Sequence, residues 1–453
     1  MFRKAAVLLA TSALAACTMT PRYERPAAPV AAQWPVDTAV SSTPVKWHDL
    51  FLDPALQQTI QLALDNNRDL RVAALDVERA RAQYGIERAN LFPALDGTVA
   101  GTKSHADATG NSQSYSANLG LSWEIDLFGR VRSLDKAALE TFFATRENRN
   151  AAEVSLIAGT AEAWLNLAAD RDSLALTQQT YQARKDAYDI AVGRSNLGAI
   201  SDLDLAQART EVEQARADAA AAATAVDQDK AALTLLAGVP SLPDTLLPDG
   251  LHDGQVAASL PVGLPSDVLL ARPDILAAEH SLKAANADIG AARAAFFPTI
   301  SLTGSAGAAS SDLGQLFSSG NGTWSYGARI GVPIFEGGAN INGLRSAKAG
   351  RDIAVAQYEG AIQQAFSDVS QALAVRARID ERLDAQANAT DAATTAFKLS
   401  QARYDAGADS YLTLLDAQRT LYGSQQSLIG LKAVKATNLT ALYRAIGNDD
   451  SLQ

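Results

Sequence analysis

Arg293-Ala294-Ala295-Phe296-Phe297-Pro298 restates, 205 residues later and without a gap, the stretch Arg88-Ala89-Asn90-Leu91-Phe92-Pro93. The chain is therefore read as one unit built twice. The same offset relates Asp69-Leu70 to Asp274-Ile275, and an offset of 207 relates Leu127-Phe128 to Ile334-Phe335. At an offset of 209, Arg194, Gly198, Ala199, Ser201 and Leu205 match Arg403, Gly407, Ala408, Ser410 and Leu414. The slow drift places small insertions in loops. The repeats run over about 51–240 and 266–447, with a Pro- and Gly-rich linker at 241–265 and a tail at 448–453.

Each half spells the same order of elements. A helix (about 68–90 and 273–295) stops before Phe-Pro, because proline denies the preceding residue the α region. Two strands follow. Leu119, Leu121, Trp123, Ile125 and Leu127 alternate with polar neighbours, as do Trp324, Tyr326, Ala328, Ile330, Val332 and Ile334. That period of two gives each strand one apolar and one polar face. The preceding strands, about 94–103 and 299–308, carry a weaker pattern, and Ser104–Ser114 and Ser310–Gly322 read as loops. Then comes a helix of about 60 residues in each half (about 135–195 and 343–404), a glycine turn at Gly198 or Gly407, and a returning helix (about 202–237 and 411–446). Leu205, Val212, Ala219, Val226 and Leu233 recur every seven residues, and Leu414, Leu421, Leu428, Lys435 and Leu442 repeat the register. Such heptads wind helices around one another.

The N-terminus shows where the chain goes. Phe2-Arg3-Lys4 and the apolar run to Ala13 form a signal peptide, residues 1–16. It ends Leu14-Ala15-Ala16-Cys17, a lipobox whose cysteine, the only one in the chain, takes a diacylglycerol anchor. Thr18 stands where the inner-membrane retention signal carries Asp, which favours the outer membrane. Residues 17–50 read as an extended lipidated tether.

No later apolar run is long enough to span a bilayer as a helix. Four strands of about ten residues are too few to close a membrane barrel alone, and an open edge cannot stand in lipid. If these strands span the membrane, copies share one barrel. Two copies give eight strands and three give twelve, and the strand pattern does not choose between them.

These residues resemble the outer-membrane efflux protein family, the TolC-like channels, and more closely its lipid-anchored OprM/NodT branch. The most specific stretch is Arg403-Tyr404-Asp405-Ala406-Gly407 running into Tyr411-Leu412-Thr413-Leu414-Leu415-Asp416-Ala417-Gln418-Arg419. Gly331-Val332-Pro333-Ile334-Phe335-Glu336-Gly337-Gly338 and the two Phe-Pro junctions add to it. The resemblance implies an α+β membrane protein: a homotrimeric, 12-stranded β-barrel with four strands per chain, continuous with a long periplasmic α-helical barrel. It implies partners too, a periplasmic adaptor protein and an inner-membrane efflux pump of the RND type, and passive conduction of small molecules outward.

It also marks residues. Leu197-Gly198-Ala199 and Ala406-Gly407-Ala408 fall at the tips where the family contacts its adaptor. Leu412 and Asp416 fall where an apolar ring and a carboxylate ring narrow the pore. Tyr404 and Asp204 occupy matching positions and are expected to hydrogen-bond in support of that gate, with Arg419 beside Asp416. The family's better-known latch has Arg two residues after the second glycine. Here that residue is Asp409, and Thr413 replaces an acid, so an identical latch is not expected.

Other classes fit poorly. With 39 Lys+Arg against 50 Asp+Glu, the net charge of −11 offers no basic excess for nucleic acid. Alanine is about a fifth of the chain and aromatics 6%, which suits closely spaced helices. The four histidines (His48, His105, His252, His280) show no metal spacing, and no P-loop or nucleophile elbow appears. No catalytic residue, metal or dissociable cofactor is expected. The rival reading is a lipid-anchored periplasmic coiled-coil scaffold without a pore, against which the alternating strands argue.

Overall fold

A computed structural model describes residues 18–31, 34, 46–108, 110–257 and 266–447. The signal peptide, Cys17, most of 32–45, part of the linker and the tail lie outside them. The described residues fall into two compact units. The first gathers the described parts of Met1–Ala28, Ala74–Glu147 and Asp274–Ala361, the second those of Pro29–Ala73, Asn148–Pro273 and Ile362–Gln453. Eight helices and one sheet make up the described fold: α1 (Trp47–Leu50), α2 (Pro54–Asn66), α3 (Arg68–Ala89), β1 (Ala94–Ala106), β2 (Gly110–Ile125), α4 (Arg130–Asn196), α5 (Asp202–Ala237), α6 (Pro273–Ala294), β3 (Thr299–Ser310), β4 (Gly322–Gly331), α7 (Ala339–Asp405) and α8 (Tyr411–Ile446).

In the first unit the sheet runs in the order β1-β2-β3-β4, every pair antiparallel. Directly opposed residues share a face. The register sets Leu95 against Leu121, Leu121 against Gly304 and Gly304 against Tyr326. Ala306 likewise meets Trp324, and Ile300 meets both Ile125 and Ile330. One face is therefore apolar across all four strands. The other carries Thr98, Asn118, Ser122, Ser301, Thr303, Ser305, Ser325 and Arg329. Trp324 and Tyr326 are 74% and 82% exposed and stack at 5.8 Å, so the apolar face is bare in the single chain. β1 and β4 each pair on one side only.

The strands differ from the expected spans. Ser104–Ser114 was expected to be loop, yet β1 and β2 pair up to Ala106 opposite Gly110. Its polar residues bond across the hairpin, Ser104 to Ser112 at 2.7 Å and His105 to Asn111 at 2.8 Å. With both faces polar, this end lost the alternation that marks a strand. Conversely, β4 stops at Gly331 rather than continuing through Ile334. Pro333 has no N–H to give a ladder.

The tether reading also needs correction. Residues 18–25 lie docked along α6. Arg293 Nη1 donates to the Met19 carbonyl (3.2 Å) and Asn286 Nδ2 to that of Pro21 (2.8 Å), while the Thr20 and Ser133 hydroxyls meet at 3.0 Å. Tyr23 Oη and Arg25 both bind the buried carboxylate of Glu279, Arg25 through Nε at 3.1 Å and Nη2 at 2.6 Å. Gly290 lets the strap lie close, since a Cβ there would sit 2.3 Å from Thr20 Oγ1.

α4 and α7 have 67 residues each, about 100 Å of helix. No helix among the described residues is long and apolar enough to cross a membrane. In the second unit the core gathers Trp164, Leu165, Ile157, Phe51, Leu56, Ile60 and Leu233. Trp164 Nε1 donates to the Leu246 carbonyl at 2.8 Å, fixing part of the linker. All ten heptad positions of α5 and α8 are buried or half-buried, Lys435 included.

Candidate functional site

The two hairpin turns of the second unit share one construction. Arg194 and Arg403 each accept, at the main-chain carbonyl, from an alanine five residues on: Ala199 N and Ala408 N, both at 2.8 Å. Gly198 N donates to the Ser195 carbonyl and Gly407 N to that of Tyr404. This is a Schellman ending, which needs a left-handed residue. Gly198 and Gly407 supply it, with φ of +68° and +74°. Ser201 and Ser410 then cap α5 and α8, their hydroxyls accepting from Asp204 N and Thr413 N. Thus Leu197-Gly198-Ala199 and Ala406-Gly407-Ala408 form two matched tips, and Leu197 is 84% exposed.

The side chains around the tips are not arranged as the sequence suggested. Asp204 does not pair with Tyr404; its carboxylate closes a capping box with Ser201. A short acid three residues into a helix reaches its own N-cap more readily than a neighbouring hairpin. Tyr404 instead accepts from Arg194 Nη1 at 3.3 Å, with that guanidinium 5.7 Å from its ring centre. One contact therefore joins the two turns. Asp409, where the family latch has Arg, takes both Nε and Nη2 of Arg403 at 2.7 and 2.9 Å. That donor holds the Asp409 carboxyl below its ordinary range.

Leu412 and Asp416 lie one turn apart on α8, both exposed on one face. Arg419 turns from Asp416 to Glu211 of α5, through Nε at 3.1 Å and through Nη2. Arg184 of α4 binds the other carboxylate oxygen at 2.8 Å, and both Arg184 and Glu211 are buried. Arg184 also lies 5.9 Å from the Tyr422 ring centre. Nearby, burial and then the negative groups around it push the Tyr411 hydroxyl up from its ordinary pKa.

This ion triad across α4, α5 and α8 was missed in the sequence. Its signal was present: Ala208, Glu211 and Ala215 make a buried row beside the heptad leucines, with one acid in it. A buried acid calls for a partner. Among the described residues, no group of three His, Cys, Asp or Glu side chains could hold a metal ion.

The family model described as "Outer membrane efflux protein" matches residues 59–239 and 264–448. The toluene efflux pump outer membrane protein TtgC of Pseudomonas putida is 45% identical over 450 residues, covering 96% of this chain and 93% of that protein. The antibiotic efflux pump outer membrane protein ArpC of Pseudomonas putida has the same identity and coverage. Among solved structures, the open-state MtrE outer membrane channel of Neisseria gonorrhoeae superposes with a TM-score of 0.87. It is 42% identical and spans 96% of this chain and 100% of that one.

Proposed function

The chain belongs to the outer membrane efflux protein family, and from that premise we propose how this outer-membrane efflux component is assembled and gated. The carrying observation is the four-stranded sheet, apolar across one face and unpaired at both edges. Lipid tolerates only a closed sheet. Three copies closing one 12-stranded barrel satisfy every edge and leave the Ser/Thr face toward a wet lumen. The helical hairpins of the three copies continue it as a periplasmic tunnel, and Cys17 carries the lipid anchor. The chain acts as a conduit without catalysis, passing small molecules such as toluene or antibiotics, the cargoes named for its relatives.

The tips at Gly198 and Gly407 receive the periplasmic adaptor, which links the channel to an RND-type inner-membrane pump. Leu412 and Asp416 face the axis. Three leucines narrow the aperture, and three carboxylates brought together repel one another and attract cations. Arg194–Tyr404 joins the hairpins, and Glu211 keeps Arg419 from neutralising Asp416. In planar lipid bilayers, Leu412→Ala is expected to raise single-channel conductance, and Asp416→Ala to lower it and to weaken cation preference. Unchanged conductance in both variants contradicts this gate.

A further inference from the structure

The polar face of the sheet carries three charged residues, Asp96 on β1, Glu124 on β2 and Arg329 on β4. Glu124 is paired inside the chain, accepting from Arg130 Nε at 2.9 Å and Nη2 at 2.6 Å. Asp96 and Arg329 are exposed, and among the described residues neither has a hydrogen-bond or ion-pair partner. The two unpaired charges have opposite sign, and each stands on an edge strand. Asp96 leans over Gly120, where a Cβ would meet both its carboxylate oxygens at 3.0 Å.

The repeat supplies a register for the two edges. β2 and β3 join the repeats inside the chain, with Ser122 opposite Thr303, Glu124 opposite Ser301 and Leu119 opposite Ala306. Shifting β2 forward by 207 and β3 back by 205 gives β4 and β1. The same pairing then sets Arg329 opposite Thr98, and Gly331 opposite Asp96, of the next copy. On the apolar face it sets Tyr326 against Gly101 and Ile330 against Gly97, large side chains on glycines. Followed through opposed residues, Asp96, Gly120, Ser305 and Ser325 lead to Thr102 of the next copy, six residues further along β1. That slide is about 20 Å over four strand spacings of about 4.8 Å, a tilt of about 45°. Membrane barrels tilt by about 35–45°. A slip of one residue would exchange the two faces. A slip of two residues gives about 54°, outside that range, or about 35°, with Arg329 directly opposite Asp96.

We infer that Arg329 of each copy reaches across the seam to Asp96 of the next, and that these pairs cancel the charges left on the lumen face of the barrel. In the carried-over register the two are diagonal neighbours, about 7–8 Å apart and within reach of a long side chain. The barrel wall is then without net charge, and it passes cargo of either sign. Loss of one member would leave a ring of three like charges in the lumen. The inference rests on the proposed ring of copies and adds a pair of residues that sets its ion discrimination.

Two readouts test it. In planar bilayers under a KCl gradient, Arg329→Gln is expected to raise the potassium-to-chloride permeability ratio and Asp96→Asn to lower it, each by about twofold or more. The exchange Asp96→Arg/Arg329→Asp is expected to return it. In detergent, each single variant is expected to lower the temperature at which the oligomer dissociates on semi-native gels. Coupled residues are not additive, so Asp96→Asn/Arg329→Gln is expected to lower it no further than one single variant, and the exchange to recover it. Unchanged reversal potentials in both single variants, or additive losses with no recovery in the exchange, overturn the inference. Light scattering in the same detergent separates the two claims. An intact oligomer with either of those results rejects this pair alone, and a monomer rejects the ring and the pair with it.

Discussion

Glu279 takes hydrogen bonds from Tyr23, Arg25 and Lys283 on a side chain 4% exposed. Burial by itself would raise its pKa, but the Arg25 and Lys283 hydrogen bonds outweigh it and the carboxyl titrates below its ordinary 4.5. A carboxylate with a lowered pKa stabilises the fold above the unfolded value and loses that contribution as pH falls through the folded one. Protection factors of the amides in residues 19–25, with exchange corrected for its intrinsic pH dependence, are therefore expected to hold from pH 7 to 5 and to fall only below about 4. Glu279→Gln removes the charge from these bonds, worth about 1.5–3 kcal/mol, and is expected to free the strap at neutral pH. Trypsin cutting after Arg22 reads this directly. At the tips the critical property is backbone geometry. Gly198→Ala and Gly407→Ala force a left-handed conformation costing about 1–2 kcal/mol. Exchange of the turn amides is then expected to speed up roughly tenfold or more, without change in the α5 and α8 interiors.

Between elements, the Arg184–Glu211–Arg419 triad holds three helices together. Removing one partner of a buried pair costs about 3–5 kcal/mol, whereas an apolar pair of similar volume is near neutral. Glu211→Gln is expected to raise exchange in α4, α5 and α8 around the triad, and Arg184→Met/Glu211→Leu to restore much of the protection. If the single variant leaves exchange unchanged, the triad contributes nothing to rigidity. This triad also marks how far the sequence could be read. The repeat, the long helices, the glycine turns and the heptads were legible because periodicity and turn chemistry are local. Leu205 to Leu233 were found because a seven-residue period repeats in both halves. Glu211 has no counterpart period, and its partners lie on other helices. The Tyr404–Asp204 pairing failed for the same reason: positions read from a family resemblance say nothing about a local cap competing for the acid. The docked strap at 18–25 has no periodicity at all, and its binding residues Glu279, Lys283, Asn286, Gly290 and Arg293 emerge as a helical stripe only once the strap is seen on them.

At the scale of the whole molecule, the sheet makes the strongest demand. Its apolar face is continuous and its outer strands have one neighbour each, so a lone chain cannot enter lipid with its backbone satisfied. The acidic excess and the alanine-rich helices fit a tunnel shared among copies. Electron micrographs of detergent-purified protein test that claim most directly. End-on class averages are expected to show a threefold ring around a stain-filled lumen. Solid particles without a lumen, or single chains, would contradict the account.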